Sequence, residues 1–393
     1  MNISLEDVRR RDKDDPLRSQ RDAFALPDGV IYLDGNSLGP LPHATRAALG
    51  RVMDEEWGQG LIRSWDRGWL DAPARVGARI ATLLGTGADE VIVADSTSVN
   101  LFKLCAAAAS LRPGRSTLLT EADNFPTDRH VLDGLARLVP GLRVRAVPPG
   151  GLADALDGDV AVALLCHVHY RSGARLDMAS LTAAARAAGA VAVWDLSHSA
   201  GAVPVALGET GVEMAAGCGY KFLNGGPGAP AFLYVARHLQ AEARSPLQGW
   251  IGHAAPFGFS DLYEPGEGMA RFLTGTPGIL GLAALQSGVE TVLSADPRAL
   301  WDKSGRLFDL FAALVGRDCP TLQLITPRDP AKRGSHIAFR HPEARAVMAA
   351  LIAQGVIGDF RPPDVLRFGL TPLYLRYEDV WHAAAALARL VPR

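Results

Sequence analysis

Two stretches of this 393-residue chain, Val160 to Cys166 and Ala190 to Trp194, are apolar at every position, and each runs directly into a polar cluster. Runs this short suit strands better than helices. A strand with one wet face alternates apolar and polar residues, whereas a strand apolar throughout is buried on both faces. Both runs therefore belong in the middle of a mostly parallel sheet with helices on each side, an α/β architecture. The polar clusters, His167 to Gly173 and Asp195 to His198, then fall at the carboxyl ends of the strands, where open α/β sheets collect their ligands.

The same alternation extends outward. Strands are expected at Val91 to Ala94, Ser116 to Thr120, Leu142 to Val147, Met214 to Cys218 and Ala229 to Val235, with helices at Arg75 to Leu84, Leu101 to Ala109 and Met178 to Ala188. Helical spacing runs from His43 to Trp57, and a linker carrying Trp57, Trp65 and Trp69 follows. These indoles suit either an aromatic-lined pocket or a subunit contact. Arg244 to Thr276 is rich in Gly, Pro and aromatics and shows no clear element, which points to function or an interface. Helices at Ile279 to Leu293 and Leu300 to Val315 lead into a smaller α/β unit. The expected division is an N-terminal arm and first helix over 1–50, packing with the small domain or a partner subunit, a large domain over 51–278, and a small domain over 279–393 that includes the connecting helices.

Charge narrows the function classes. Forty basic residues against forty-two acidic ones give a formal charge of -2, so nothing in bulk favours nucleic acid or an anionic membrane. The four cysteines are widely spaced in apolar runs, and the first thirty residues lack the apolar core of a signal peptide. A cytoplasmic protein acting on a small molecule is expected. His167 and His169 lie at one strand end without third and fourth ligands nearby in sequence, so no metal site is expected.

Asp195 ends one apolar strand, and Lys221 follows Tyr220 and precedes the glycine-rich turn Asn224-Gly225-Gly226. A carboxylate and a lysine mounted on strand ends of one sheet suit pyridoxal phosphate, the acid meeting the pyridine nitrogen and the amine bonding to the aldehyde. Ser96, Thr97 and Ser98 stand where a strand empties into a helix start, which suits the phosphate. One of them alone would satisfy the helix as a cap. Tyr220 is either a phosphate or proton donor or a packed ring, and His198 either supports Asp195 or the cofactor oxygen or is a satisfied buried histidine. Asn36-Ser37-Leu38-Gly39-Pro40 is either a plain loop or a turn that brings the Ser37 hydroxyl into the site.

Asp195-Leu196-Ser197-His198, Tyr220-Lys221-Phe222-Leu223-Asn224, Asn36 to Pro40, Asn124-Phe125-Pro126-Thr127-Asp128 and Arg367 to Tyr374 together resemble kynureninase, and the resemblance covers essentially the whole chain. It implies a pyridoxal phosphate enzyme of fold type I, with a mostly parallel seven-stranded sheet in the large domain and a smaller C-terminal α/β domain. It implies hydrolysis of the Cβ–Cγ bond of L-kynurenine to anthranilate and L-alanine in tryptophan catabolism, by a homodimer with shared active sites. Lys221 would bond to the cofactor, Asp195 meet its nitrogen, Asp128 and His198 contact the ring region, and Phe125 stack over the ring. Thr97, Ser98, Tyr220 and Trp250 would hold the phosphate, and Thr276 would reach it from the neighbouring subunit. Arg367 would clamp the substrate carboxylate, with Ser37 and Trp65 lining the pocket for its aromatic end. Lys221, Tyr220 and Asp195 are the expected catalytic residues. Animal-like relatives carry histidine and asparagine where this chain has Trp65 and Thr276, which implies a preference for kynurenine over its 3-hydroxy form. An aminotransferase or a cysteine desulfurase of the same fold type is the alternative.

Overall fold

The computed structural model describes residues 3–391. Seven strands form the large sheet: β1 (Val91–Ala94), β2 (Thr117–Glu121), β3 (Arg143–Val147), β4 (Val160–Cys166), β5 (Val191–Asp195), β6 (Met214–Gly217) and β7 (Ala231–Val235). Their spatial order is β1-β7-β6-β5-β4-β2-β3. The pairs from β6 to β3 are parallel, and β7 alone runs against its neighbours β1 and β6. The sequence expectation of a mostly parallel seven-stranded sheet holds.

Strand alternation explains why apolar residues fill β4 and β5 completely. Val191 and Val193 enter one hydrophobic core while Ala192 and Trp194 enter another, on the opposite face. Helices Thr97–Ser110 and Pro126–Leu138 cover the first face, and Ala72–Leu84 and Met178–Ala187 cover the second. The helix Ile279–Leu293 spans two cores: Leu282, Leu285 and Val289 pack on the large sheet, and Val292 joins the C-terminal core.

A second, antiparallel sheet contains β8 (Gln323–Leu324), β9 (His336–Arg340), β10 (Asp359–Arg361) and β11 (Val365–Gly369), in the order β10-β11-β9-β8. Directly opposed residues share a face. Arg367 opposes both Asp359 and Ala338, and His336 opposes Gly369, so one face presents Asp359, Arg361, Arg367 and His336. The other face carries Ile337, Phe339, Leu366 and Phe368 into a core where the Phe311 ring lies 5.2 Å from Phe368 and 5.9 Å from Phe339. The polar face is turned toward the large sheet, since Arg367 Nη1 donates to the carbonyl of Tyr170, just beyond β4.

The N-terminal arm contributes Val8, Leu17, Phe24 and Leu33 to that C-terminal core. Asp12 accepts from the free N–H groups of Tyr377 and Glu378 at 2.7 and 2.9 Å, the favoured place for an anion at the start of helix Tyr377–Leu390. Lys303 is buried with Asp15 at 2.6 Å and also donates to the Pro372 carbonyl.

Two stretches differ from the sequence expectation. The helix begun at His43 does not stop at Trp57 but passes at Val52 into widened turns that reach Gly60, and Trp65–Trp69 forms another such turn. Strand β10 was not anticipated, because three residues are too few to show a period.

Candidate active site

Four elements converge at the carboxyl ends of β4, β5 and β6. Asp195 closes β5 opposite Cys166 of β4 and Ala216 of β6, and its Oδ1 accepts from the Ser197 N–H at 2.8 Å. Lys221 sits on the turn after β6, where its Nζ lies 3.1 Å from Nε2 of His198 and 5.8 Å from the centre of the Tyr220 ring. Asp128, from the first turn of its helix, is buried, and its Oδ2 has no partner.

Burial and the nearby charge of Asp195 raise the Asp128 carboxyl well above the usual range, against the pull of Lys221. His198 is pressed well below the ordinary imidazole value, first by burial and then by Lys221 and Arg367, so it stays neutral. When the Lys221 ammonium donates to Nε2, the imidazole proton resides on Nδ1, a buried atom with no protein partner. Tyr220 is pushed up to about 12 by burial, then by Cys218 and Asp195, and so keeps its phenolic proton at neutral pH.

The turn from Asp34 to Gly39 packs directly on the lysine turn. Gly39 N–H donates to the Tyr220 carbonyl at 2.8 Å, and a Cβ on Gly39 would lie 2.4 Å from both the Lys221 carbonyl and Asn224 Oδ1. Only glycine permits that approach. The turn thereby delivers Ser37 to the polar face of the second sheet, where its Oγ donates to Asp359 Oδ2 at 2.9 Å and accepts from Arg367 Nη2 at 2.8 Å. Arg367 is 1% exposed, and its Nε donates to Asp359 Oδ1 at 2.8 Å while Nη2 reaches Oδ2. Asp359 resists burial and is held below the usual carboxylate range by Arg367 and Arg361. Asp34, close by, is raised to about 7 by burial and by Asp359.

At the edge of the sheet, β1 is followed by Asp95 in a left-handed conformation, φ 46°, and Ser96 caps the following helix by accepting from Val99 N–H at 3.4 Å. That leaves Thr97 Oγ1 buried without a partner beside Ser98. Phe125 is fixed by its N–H to Asn124 Oδ1 at 2.6 Å, and its ring meets Tyr170 edge-on at 5.2 Å.

Asp195, His198, Lys221 and Asp128 thus form one cluster, and Ser37 and Arg367 another that the Gly39 turn joins to it. Trp65, Trp250 and Thr276 are not brought in: Trp65 packs edge-on against Trp69, Trp250 against Phe257, and Thr276 is exposed. Among the described residues, no hydrogen bond or ring contact ties these three to Lys221. Sequence reasoning missed Asp34, Asp359, Arg361 and His336. For Asp359 and Arg361 the two-residue spacing was a signal, but His336 carried none. Its ring lies 5.4 Å from that of His198, and neither of its nitrogens has a partner.

The donor set suits pyridoxal phosphate: an amine at a strand end, a carboxylate beside it, and orphaned polar atoms on Asp128, His198 and Thr97 around them. A mixed seven-stranded sheet with a lysine turn at its carboxyl edge, joined to a small antiparallel sheet, defines the fold-type-I class of pyridoxal phosphate enzymes. The solved structures agree on the fold. A C-DES mutant with glycine covalently linked to the PLP cofactor has a TM-score of 0.81 at 18% identity, covering 94% of this chain and 98% of that one. Apo cysteine desulfurase from Thermococcus onnurineus NA1 has 0.80 at 19% identity, covering 100% and 98%. Sequence comparison is narrower. The chain is 51% identical to the kynureninase of Deinococcus radiodurans across 99% of this chain and 97% of that protein, and 48% identical to that of Pseudomonas fluorescens across 97% and 94%. Residues 300–387 match the kynureninase C-terminal domain model. The chain belongs to the kynureninase family.

Proposed function

We propose that the protein hydrolyses the Cβ–Cγ bond of L-kynurenine, giving anthranilate and L-alanine, with pyridoxal phosphate as cofactor. The observation that carries this is the contact of Lys221 with His198 beside buried Asp195 and Asp128, in a chain of this family. When bound, pyridoxal phosphate supplies an aldehyde that bonds to an amine and a ring that takes up negative charge from carbon. Lys221 would be the amine that holds the aldehyde, and it is the group placed to move the proton at the substrate Cα. Asp195 would meet the pyridine nitrogen and favour its protonated form, and the Ser197 N–H fixes that carboxylate. Neutral His198 and Asp128, whose carboxyl burial and Asp195 push upward, would meet the ring region, and Phe125 would lie over it.

Thr97 and Ser98 would hold the phosphate with Tyr220, and Trp250, half-exposed and on the same packed backbone as Thr276, would join them across the subunit contact. Tyr220, protonated at neutral pH, delivers a proton to Cβ of the departing alanine fragment. Arg367 receives the substrate carboxylate through its planar fork, with Ser37 alongside. Asp359 already engages Nε and Nη2, so the carboxylate enters by displacing or sharing those partners.

The protein acts as a cytoplasmic homodimer in this reading, with Thr276 reaching the partner's phosphate and Trp65 lining the pocket for the aromatic end. The exposed apolar residues Phe257, Phe259 and Leu262, next to Trp250, support a subunit contact there. A desulfurase would need a mobile thiol, whereas all four cysteines are buried.

The test is to mix the cofactor-loaded protein with L-kynurenine and identify the products. Anthranilate and alanine in equal amounts are expected, and a keto acid instead would return the protein to the aminotransferases. With 3-hydroxykynurenine kcat/KM is expected to be lower, and equal or higher values would remove the specificity claim.

A further inference from the structure

Lys103 belongs to none of the motifs above, yet it is completely buried and its ammonium makes two hydrogen bonds. It lies on the helix Thr97–Ser110, two turns below the start. Its Nζ donates to Asp95 Oδ2 and, at 2.6 Å, to the carbonyl of Phe272. Those partners belong to two different segments. Asp95 is the left-handed residue from which Ser96, Thr97 and Ser98 are presented, and its carbonyl is fixed by the Ala231 N–H at 2.9 Å. Phe272 closes the turn Gly268–Phe272, after which the chain runs through Thr274 to Thr276.

The Thr274 stretch is in turn packed against the Trp250 turn. Ile251 N–H donates to the Thr274 carbonyl at 3.3 Å, and a Cβ on Gly249 would lie 2.1 Å from that oxygen. One ammonium therefore joins the hydroxyl turn at 95–98 to the backbone that carries both Trp250 and Thr276. A buried lysine is costly to desolvate, and here the hydrogen bonds that offset the cost tie two separate segments together. The turn at 95–98 is what they fix: Asn100 Nδ2 adds a second tie, to the Ala94 carbonyl at 2.8 Å, and Thr97 Oγ1 is left buried and unpartnered.

We propose that Lys103 is a positioning residue for the cofactor phosphate, setting the Asp95 turn that aims Thr97 and Ser98 and holding the 272–276 segment to it. This rests on the phosphate assignment made above. Lys103 itself touches no phosphate. Replacing it leaves Asp95 and the Phe272 carbonyl without their donor, so the turn loses its set while the lysine end of the site, on β5 and β6, keeps its own contacts.

The experiment titrates the apoprotein with pyridoxal phosphate and, separately, with pyridoxal, following the absorbance of the bound aldehyde. In Lys103→Met the dissociation constant for pyridoxal phosphate should rise about tenfold or more, the cost of losing charge-assisted hydrogen bonds, and that for pyridoxal by less than about threefold. A general loosening of the fold would weaken both alike, so an unchanged ratio overturns the proposal. Asp95→Asn keeps a residue tolerant of the left-handed conformation and removes the charge opposite Lys103. It should raise the dissociation constant for pyridoxal phosphate relative to that for pyridoxal by a smaller factor, and it carries the test alone should Lys103→Met fail to fold, an unchanged ratio again overturning the proposal. A wild-type protein that does not prefer pyridoxal phosphate over pyridoxal would instead count against the phosphate assignment itself.

Discussion

The ammonium of Lys221 lies 3.1 Å from Nε2 of His198, joining the turn after β6 to the turn after β5. The contact spans two strand ends and holds the lysine against an imidazole that burial keeps neutral. Lys221→Ala should abolish the absorbance of covalently bound cofactor and lower kcat by roughly 10³-fold or more, the scale of lost proton transfer and covalent attachment together. Full activity in that variant, measured by anthranilate release, would sink the mechanism.

The buried histidines set a pH limit on stability. His198 and His336 are held well below their ordinary value of 6.5, and His167 is brought to about 3, chiefly by burial. The unfolded chain takes up these protons below about pH 6.5 and the folded chain does not, so their contribution is complete above that value and is lost as pH falls. Asp34 and Asp128 act oppositely, since their raised values favour the fold at low pH and that share is lost as pH rises through them. Comparing wild type with His336→Gln cancels the acids. Between pH 6.5 and 5 the variant should lose about 1 kcal/mol less per pH unit in denaturant titrations. Parallel slopes would contradict this.

Gly39 is predicted to be intolerant of any side chain. A methyl there meets two oxygens at 2.4 Å, one of them backbone, so Gly39→Ala should cost about 1–3 kcal/mol and displace the lysine turn. Gly50, in the helix His43–Arg51 with nothing within 4 Å, is the control, and its alanine variant should be neutral or stabilised by about 0.5–1 kcal/mol. Thermal melts read both, and kcat should fall only in the first.

Arg367→Lys keeps the charge and removes the fork. Lysine cannot hold Asp359 with two parallel donors and also meet Ser37 and the Tyr170 carbonyl, as Arg367 does. A rise in KM of about 10²-fold is expected, with a smaller fall in kcat. An unchanged KM would show that the substrate carboxylate binds elsewhere.

Much of the large domain was legible in the chain because its signals are local. Uninterrupted apolar runs marked β4 and β5 as central, and polar residues at their ends located Asp195. Lys221 was readable from its tyrosine and its glycine-rich turn. The resemblance, resting on several short motifs together, reached Arg367 and Ser37. Asp359 and Arg361 offered only their two-residue spacing, too little in a strand of three residues to place them at the site, and His336 opens a strand whose next three residues are apolar. Lys103 was hidden in an ordinary helical run.

By itself the sequence determined which residues lie inside the large sheet and which chemistry stands at the strand ends, since both follow from periods of two and from neighbours along the chain. Only the tertiary structure decided that Ser37 meets Arg367, 330 residues away, that Asp359 occupies the arginine's fork, and that Gly39 must press against the lysine turn. Such contacts depend on which face of the second sheet turns toward the first. That choice is made by the packing of Phe311, Phe339 and Phe368 on the opposite face, and no local pattern encodes its partner across the cleft.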